Sequence, residues 1–131
     1  MIGILIVTHG SFGGELIRSA EIIMGEQKNH DYLCLRHNDS VTLLQEEIKR
    51  KAQSLDKGKG VLVLTDIFGG SPSNSVAIAL RDKGYYCLTG VNLPMLLEAF
   101  SLRDSLSIEM LAKQCQISGV EGIKDLFAEL M

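Results

Sequence analysis

Short continuous apolar runs alternate along the chain with stretches whose apolar residues recur at helical spacing. "GILIVTH", starting at Gly3, is a run of strand length. From Gly14 to Met24 the residues Leu16, Ile17, Ala20, Ile23 and Met24 keep helical spacing until Gly25 stops them. "DYLCLRH" is a second strand candidate, and Val41, Leu44, Ile48, Ala52 and Leu55 then mark one face of a helix capped by Asp39 or Ser40. "GVLVLTD" is apolar on both faces, the mark of a central strand in a parallel sheet. In "IFGGSPSNSVAIALRDKG", Ser71 is expected to cap a helix, with Pro72 in its first position and Gly84 as its stop. "YYCLTGV" predicts a fourth strand, followed by a helix from Asn92–Leu93–Pro94 to about Ser101 and another from Ser105 to about Gln116. The tail "GVEGIKDLFAELM" admits two readings. Gly119 and Gly122 interrupt a long helix and Ile123 to Leu126 suits a short edge strand, or the tail is an ordinary helix from Val120 to Met131.

This alternation predicts an α/β fold: an open, doubly wound parallel sheet with helices on both faces. In the common strand order 2-1-3-4, ligands bind beyond the C-terminal strand ends, where the order reverses. That rule singles out the residues just after each strand: His9, His37, Asp66 and the segment from Thr89 to Asn92. His9 ends the first strand and Asp66 the third, so the two side chains should emerge together. A carboxylate beside an imidazole fixes the tautomer and stabilises the ring once its far nitrogen has bonded to an electrophile, which is the arrangement of an activated histidine nucleophile. Each of these strand ends leads into a Gly- and Ser-rich turn, "GSFGGE" and "FGGSPSN". Amides at two helix starts, with a Ser hydroxyl, form an anion cradle, so the pattern suits phosphoryl transfer onto nitrogen. Taken singly, His9 reads equally as a structural strand-end residue, Asp66 as a helix cap and "GGSP" as a plain turn. Phe12 and Phe68, in the two turns, read either as core or as an apolar rim where partners dock.

Composition narrows the choice. With 131 residues the chain is long enough for one domain, over 1–131, around one good core. Apolar residues make up 46% and charged ones 22%, as in a globular protein. A net charge of -3 argues against a nucleic-acid partner, since phosphate backbones need clustered Lys and Arg. The basic run "KRKAQSLDKGK" at 49–59 reads as a solvated helix end. "MIGILIV" lacks a basic leader and stops after seven residues, so the expectation is a cytoplasmic protein. The three cysteines, Cys34, Cys87 and Cys115, form no C-x-x-C pair; Cys34 and Cys87 lie in strand-like runs, so buried free thiols are expected and no metal site. No nucleotide-binding G-x-x-x-x-G-K-[ST] loop and no acidic cluster for Mg²⁺ is present, so no cofactor is expected and the phosphoryl donor is read as a protein.

Three segments in order, "ILIVTHGSFGGELIRSAEIIMG", "GVLVLTDIFGGSPSN" and "GVNLPMLLEA", resemble the enzyme IIA domain of the mannose family of the phosphoenolpyruvate-dependent sugar phosphotransferase system. The resemblance covers nearly the whole chain. It implies that His9 is the phosphorylated residue, that Asp66 orients it and that Ser71 contacts the phosphoryl group, with Gly10, Gly69 and Gly70 around the same anion. It also implies a cytoplasmic homodimer whose C-terminal antiparallel edge strand is exchanged between subunits, which would give "GIKDL" a purpose. The donor would be the histidine-containing phosphocarrier protein, the acceptor a histidine of the IIB component, and the membrane permease an indirect partner. One departure stands out: where the family has a Pro-Gly turn after the second strand, this chain has "RHNDS". Asn38–Asp39–Ser40 still suits a turn and cap. His37 reads as a solvent-exposed strand-end residue in preference to a second phosphate acceptor, because strand two lies outside the switch point, and His30 as a plain residue of the polar "EQKNHD" loop. Rival readings are a non-catalytic phosphohistidine regulatory module, a receiver-like domain with Asp66 as acceptor, and a carrier subunit of a dihydroxyacetone kinase.

Overall fold

A computed structural model describes residues 1–131. Strands β1 (Gly3–His9), β2 (His30–Leu35), β3 (Val61–Thr65) and β4 (Tyr86–Leu88) form one sheet in the order β2-β1-β3-β4. All three pairings are parallel. Helices α1 (Phe12–Met24), α2 (Val41–Leu55), α3 (Ser71–Leu80), α4 (Leu93–Leu102) and α5 (Ile108–Glu121) connect and cover the strands, and α6 (Leu126–Glu129) is one terminal turn.

The two-residue period of the central strands divides the core cleanly. Ile4 and Ile6 of β1, with Leu62 and Leu64 of β3, face one side, against Ile17 of α1, Leu96 and Phe100 of α4 and Leu111 of α5. Leu5 and Val7, with Val61 and Val63, face the other, against Ile48 and Ala52 of α2 and Val76 and Leu80 of α3. Both strands are buried on both faces, which explains their unbroken apolar sequences. The edge strands are less covered. This corrects the expectation for two cysteines: Cys34 of β2 is half-buried and Cys87 of β4 exposed, and only Cys115, on α5, is buried.

Boundaries differ from the sequence reading where caps compete. Ser40 caps α2 by accepting the Leu43 amide, and Asn92 caps α4 by accepting that of Met95. Ser71 does not cap α3. Gly70 takes that position in extended geometry, Ser71 is the first helical residue, and no side chain closes the first turn. The helix ends at Leu80, short of Gly84. Helix α5 runs through Gly119, which fits because a Cβ there would meet the Met95 side chain at 3.0 Å, so the glycine serves close helix packing. No fifth strand forms. Asp125 accepts the Ala128 amide and turns the chain into α6, leaving only Gly122, Ile123, Lys124 and Asp125 between two helices. The expected edge strand at Ile123 to Leu126 is thus a cap and a helical turn in the single chain, and the uninterrupted helix from Val120 is broken at Gly122.

One buried charge went unnoticed in the sequence. Arg103, 3% exposed, donates to the carbonyls of Lys28 (2.6 Å), Asn29 (3.2 Å) and Ile2 (3.4 Å). Its guanidinium also stacks over Phe100, 5.1 Å from the ring centre. Arg103 thereby ties the segment after α4 to the entries of β1 and β2. Arg103→Leu leaves the Lys28 and Ile2 carbonyls without a donor, while that of Asn29 keeps only the Ile4 amide, so we expect a loss of about 3 kcal/mol in unfolding free energy, since buried bonds to a charged donor are worth about 1.5–3 kcal/mol each before relaxation. Urea unfolding followed by circular dichroism checks it; an unchanged midpoint refutes the clamp.

Candidate functional site

The chain leaves β1 toward one side of the sheet and reaches β3 on the other, so β1 and β3 flank the point where strand order reverses. Val7 pairs with Thr65, which sets the next residues of both strands, Thr8–His9 and Asp66, side by side at the sheet's C-terminal edge. There the Asp66 Oδ2 accepts twice from His9: from its backbone amide at 2.9 Å and from its ring Nδ1 at 2.8 Å. The other oxygen, Oδ1, accepts the amide of Ile67 at 3.0 Å. Every donor to this carboxylate comes from the two turns it joins.

Burial of Asp66 by itself would raise its pKa. The His9 amide, the His9 ring and the adjacent backbone outweigh it and hold the carboxyl below its ordinary 3.8. An ionised carboxylate only accepts, so Nδ1 carries the proton and Nε2 keeps its lone pair. The Asp66 side chain is 14% exposed and that of His9 52%. The free nitrogen therefore belongs to the more open half of the pair. Because the folded-state pKa is lowered, the stability gained from these bonds is complete above the unfolded pKa and is lost as pH falls through the folded one.

The surrounding backbone is specialised for closeness. A Cβ on Gly70 would lie 3.1 Å from the His9 Cε1 and 3.0 Å from the Ile67 side chain, so glycine lets the start of α3 approach the ring. With no side-chain cap, and with Pro72 lacking an amide hydrogen, the first turn of α3 leaves the amides of Ser71 and Ser73 free, and Ser71 adjoins the imidazole. Gly69 also has an uncommitted amide, while Gly70 turns its own back to the Ile67 carbonyl at 3.4 Å. Ser71 is exposed and lines the same cleft as His9 and Gly10.

The cradle is less symmetric than the sequence suggests. Gly10 takes φ +58°, needed for the tight turn out of β1, but its amide is spent on the Leu35 carbonyl at 2.9 Å. Gly10 therefore shapes the cleft without offering a donor. At α1 the buried Thr8 hydroxyl oxygen accepts the Gly13 amide at 3.0 Å, capping a helix whose own N-cap residue, Ser11, makes no side-chain bond. Thr8 was missed in the sequence, where it reads as one more strand residue; a β-branched hydroxyl directly before His-Gly was the available signal. Of the two helix starts, that of α3 is the one that no side chain caps.

Phe12 is 47% exposed and Phe68 84%, so neither belongs to the core. Ile67, 58% exposed, adjoins Phe68 in the second turn and was not singled out. His30 is half-buried, bonded to the Gln27 carbonyl, and stands against Phe100. His37 is exposed as expected, yet it does not stand apart: with Arg36 it lines the cleft that holds His9. No group of three or more His, Cys, Asp or Glu side chains is placed to hold a metal ion, and no helix is long and apolar enough to cross a membrane.

Residues 3–116 match the family model described as the PTS (phosphotransferase system) fructose IIA component. Over 130 residues the chain is 37% identical to the mannose-specific EIIAB component of Escherichia coli K12, covering 98% of this chain but 40% of that protein. The fructose-specific EIIA component of Bacillus subtilis is 36% identical over 110 residues, covering 83% of this chain and 75% of that one. Among solved structures, the phosphotransferase system component EIIA from Streptococcus agalactiae superposes with a TM-score of 0.87 at 32% identity, over 98% of this chain and 99% of that one. These matches lie with sugar systems and do not favour the dihydroxyacetone kinase or regulatory-module readings. A strand-end imidazole held by one carboxylate at the switch point of a 2-1-3-4 sheet thus sits in a chain that belongs to the mannose/fructose IIA family of the sugar phosphotransferase system.

Proposed function

We propose that this chain is a cytoplasmic phosphoryl carrier for sugar uptake, a phosphotransferase whose acceptor atom is the Nε2 of His9. The observation that carries this reading is the double bond of Asp66 to the amide and Nδ1 of His9, which leaves Nε2 as the ring's free nucleophile. The Nε2 lone pair attacks the phosphorus of a phosphohistidine on the histidine-containing phosphocarrier protein. As the N–P bond to His9 forms, the donor's P–N bond breaks and its ring nitrogen leaves with the electron pair. His9 keeps its proton on Nδ1, and the positive charge gained by its ring is offset by Asp66. The Ser71 hydroxyl and the free amides of Gly69 and the α3 start donate to the anionic oxygens, and the helix dipole adds to their attraction. Gly70 lets the ring come that close. Transfer to a histidine of the IIB component reverses the same steps, and the membrane permease is served indirectly. The donor's P–N bond is already activated, so the step calls on neither a nucleotide nor a metal.

Phe12 and Phe68, joined by Ile67, form the apolar rim on which both protein partners dock in turn. We read the chain as one domain over 1–131 that pairs as a homodimer. Ile123, Leu126, Phe127 and Leu130 of the tail are all exposed in the single chain, a density of apolar side chains that suits a partner subunit. Next to the open edge of β4, a groove of about 470 Å³ lined by Leu80, Tyr86, Leu88 and Met95 offers a place for it.

His9→Ala should abolish labelling by phosphoenolpyruvate, enzyme I and the carrier protein while leaving the far-ultraviolet spectrum native, since the side chain is half in solvent and outside the core. The wild-type label should be acid-labile and base-stable, as a phosphoramidate is; a base-labile, hydroxylamine-sensitive label would move the acceptor to Asp66. Asp66→Asn keeps a hydrogen-bond partner but cannot offset the ring's charge, so single-turnover transfer should slow by roughly 10²–10⁴-fold. A wild-type rate in that variant removes Asp66 from the mechanism. Truncation after Gly119 should turn a sedimenting dimer into monomer or aggregate, because it removes the apolar tail from both subunits at once. A well-behaved dimer after truncation defeats the role given to the tail.

A further inference from the structure

The cleft beside His9 has a second wall that the mechanism above does not use. It is a hollow of about 580 Å³, with His9, Gly10 and Ser71 on one side and the β2–α2 loop, including Arg36, His37 and Asp39, on the other. That loop is closed by its own bonds. The Arg36 amide donates to the Asp39 Oδ2 at 2.7 Å, the Asp39 amide donates to the Arg36 carbonyl at 3.1 Å, and Asn38 takes the left-handed φ of +69° that the turn requires. The backbone is thus committed while both basic side chains remain exposed and available.

Charge decides what such a wall suits. The chain's ion pairs engage Arg18, Arg50, Lys51, Lys113 and Lys124, but not Arg36. Among the residues lining the cleft Arg36 carries the only fixed positive charge, and His37 next to it presents a titratable one. Asp39 opposes them, although its Oδ2 is turned to the Arg36 amide inside the loop. Asp66 does not line the cleft, and both its oxygens are bonded to His9 and Ile67. The donors on the Ser71 side are uncharged, whereas a phosphoryl group brings between about one and two negative charges. A guanidinium matches its paired oxygens in a bidentate fork.

We propose that Arg36 and His37 form the anion-binding wall of this cleft and hold the phosphoryl oxygens when the group is on His9 Nε2, setting how firmly this chain keeps its cargo. The proposal rests on the reading of His9 as acceptor, and His37 acts in it as a contact, not as a second acceptor. Both side chains are exposed, so Arg36→Gln/His37→Gln should melt as the wild type does.

The test follows the exchange equilibrium between phosphorylated carrier protein and the full chain, with the half-life of the isolated phosphoprotein as a second reading. The double variant should still be labelled on His9, with the equilibrium moved about tenfold toward the carrier, the size expected for one partly solvated charge-assisted bond. Arg36→Lys should restore part of that shift. An equilibrium unchanged in the double variant overturns the proposal, and so does label on His37 in a His9→Ala chain. A wild-type chain that takes no label refutes the phosphoryl-carrier reading instead. The wall is then judged by titrating unphosphorylated protein with inorganic phosphate: saturable NMR shifts at Arg36 and His37, absent in the double variant, uphold it, and no shift overturns it.

Discussion

One carboxylate oxygen joins the two halves of the site. Asp66 Oδ2 accepts from both the backbone and the ring of His9, and so locks the turn after β1 to the turn after β3. The backbone bond fixes where His9 leaves the sheet, and the ring bond fixes which way the imidazole faces and which nitrogen is free. Neither bond is possible without the parallel β1–β3 register that sets Val7 against Thr65. That register in turn depends on two strands buried on both faces, with alternate side chains serving two separate cores. A slip by one residue would exchange the two apolar sets and carry His9 away from Asp66.

The same constraint explains an uneven distribution of caps. Where the structure needs rigidity it spends side chains: Thr8 closes α1, Ser40 closes α2 and Asn92 closes α4. At α3, beside the His9 ring, the cap position is a glycine with no side chain to offer, and the next residue but one is a proline with no amide hydrogen. An open helix start costs stability that a capping residue would return. Here it leaves donors next to the one imidazole whose free nitrogen faces a cleft. The sacrifice is local, at the site where the proposed anion binding needs unpaired groups.

Much of this was legible in the sequence, for identifiable reasons. "GILIVTH" and "GVLVLTD" are apolar on both faces because β1 and β3 are central, and two such strands ending in His and Asp before Gly-rich turns leave little choice of topology. The pairing of His9 with Asp66 followed from that topology, not from any short motif. What escaped depends on contacts that sequence spacing does not carry. Arg103 reads as an ordinary residue at a helix end until its carbonyl partners, from Ile2 to Asn29, are brought over it. Thr8 and Gly10 look like strand end and cradle, yet the first is a cap and the second has its amide drawn to β2. Ser71 and Gly70 exchanged roles because both suit an N-cap and only the approach of the His9 ring distinguishes them. At the tail, Ile123 to Leu126 has strand-like residues but an Asp that caps as readily as it ends a strand, and the local bond prevails in the single chain.

Exposure is the remaining constraint, and it acts in opposite senses on the two members of the pair. On the proposed function, a group passed between proteins must be reachable from outside, which requires an open histidine, whereas an aspartate works on that histidine best where water competes least. The structure divides the pair accordingly: the His9 side chain is half in solvent and that of Asp66 mostly withdrawn. Burial alone would push Asp66 toward its neutral form, which would lose its hold on the ring's positive charge. Donors from the backbone of His9 and Ile67, together with the His9 ring, reverse that tendency. The carboxylate is therefore kept charged jointly by the backbone of the two turns and by the ring it orients, so the fixed geometry of the turns and the open position of the ring act on one group.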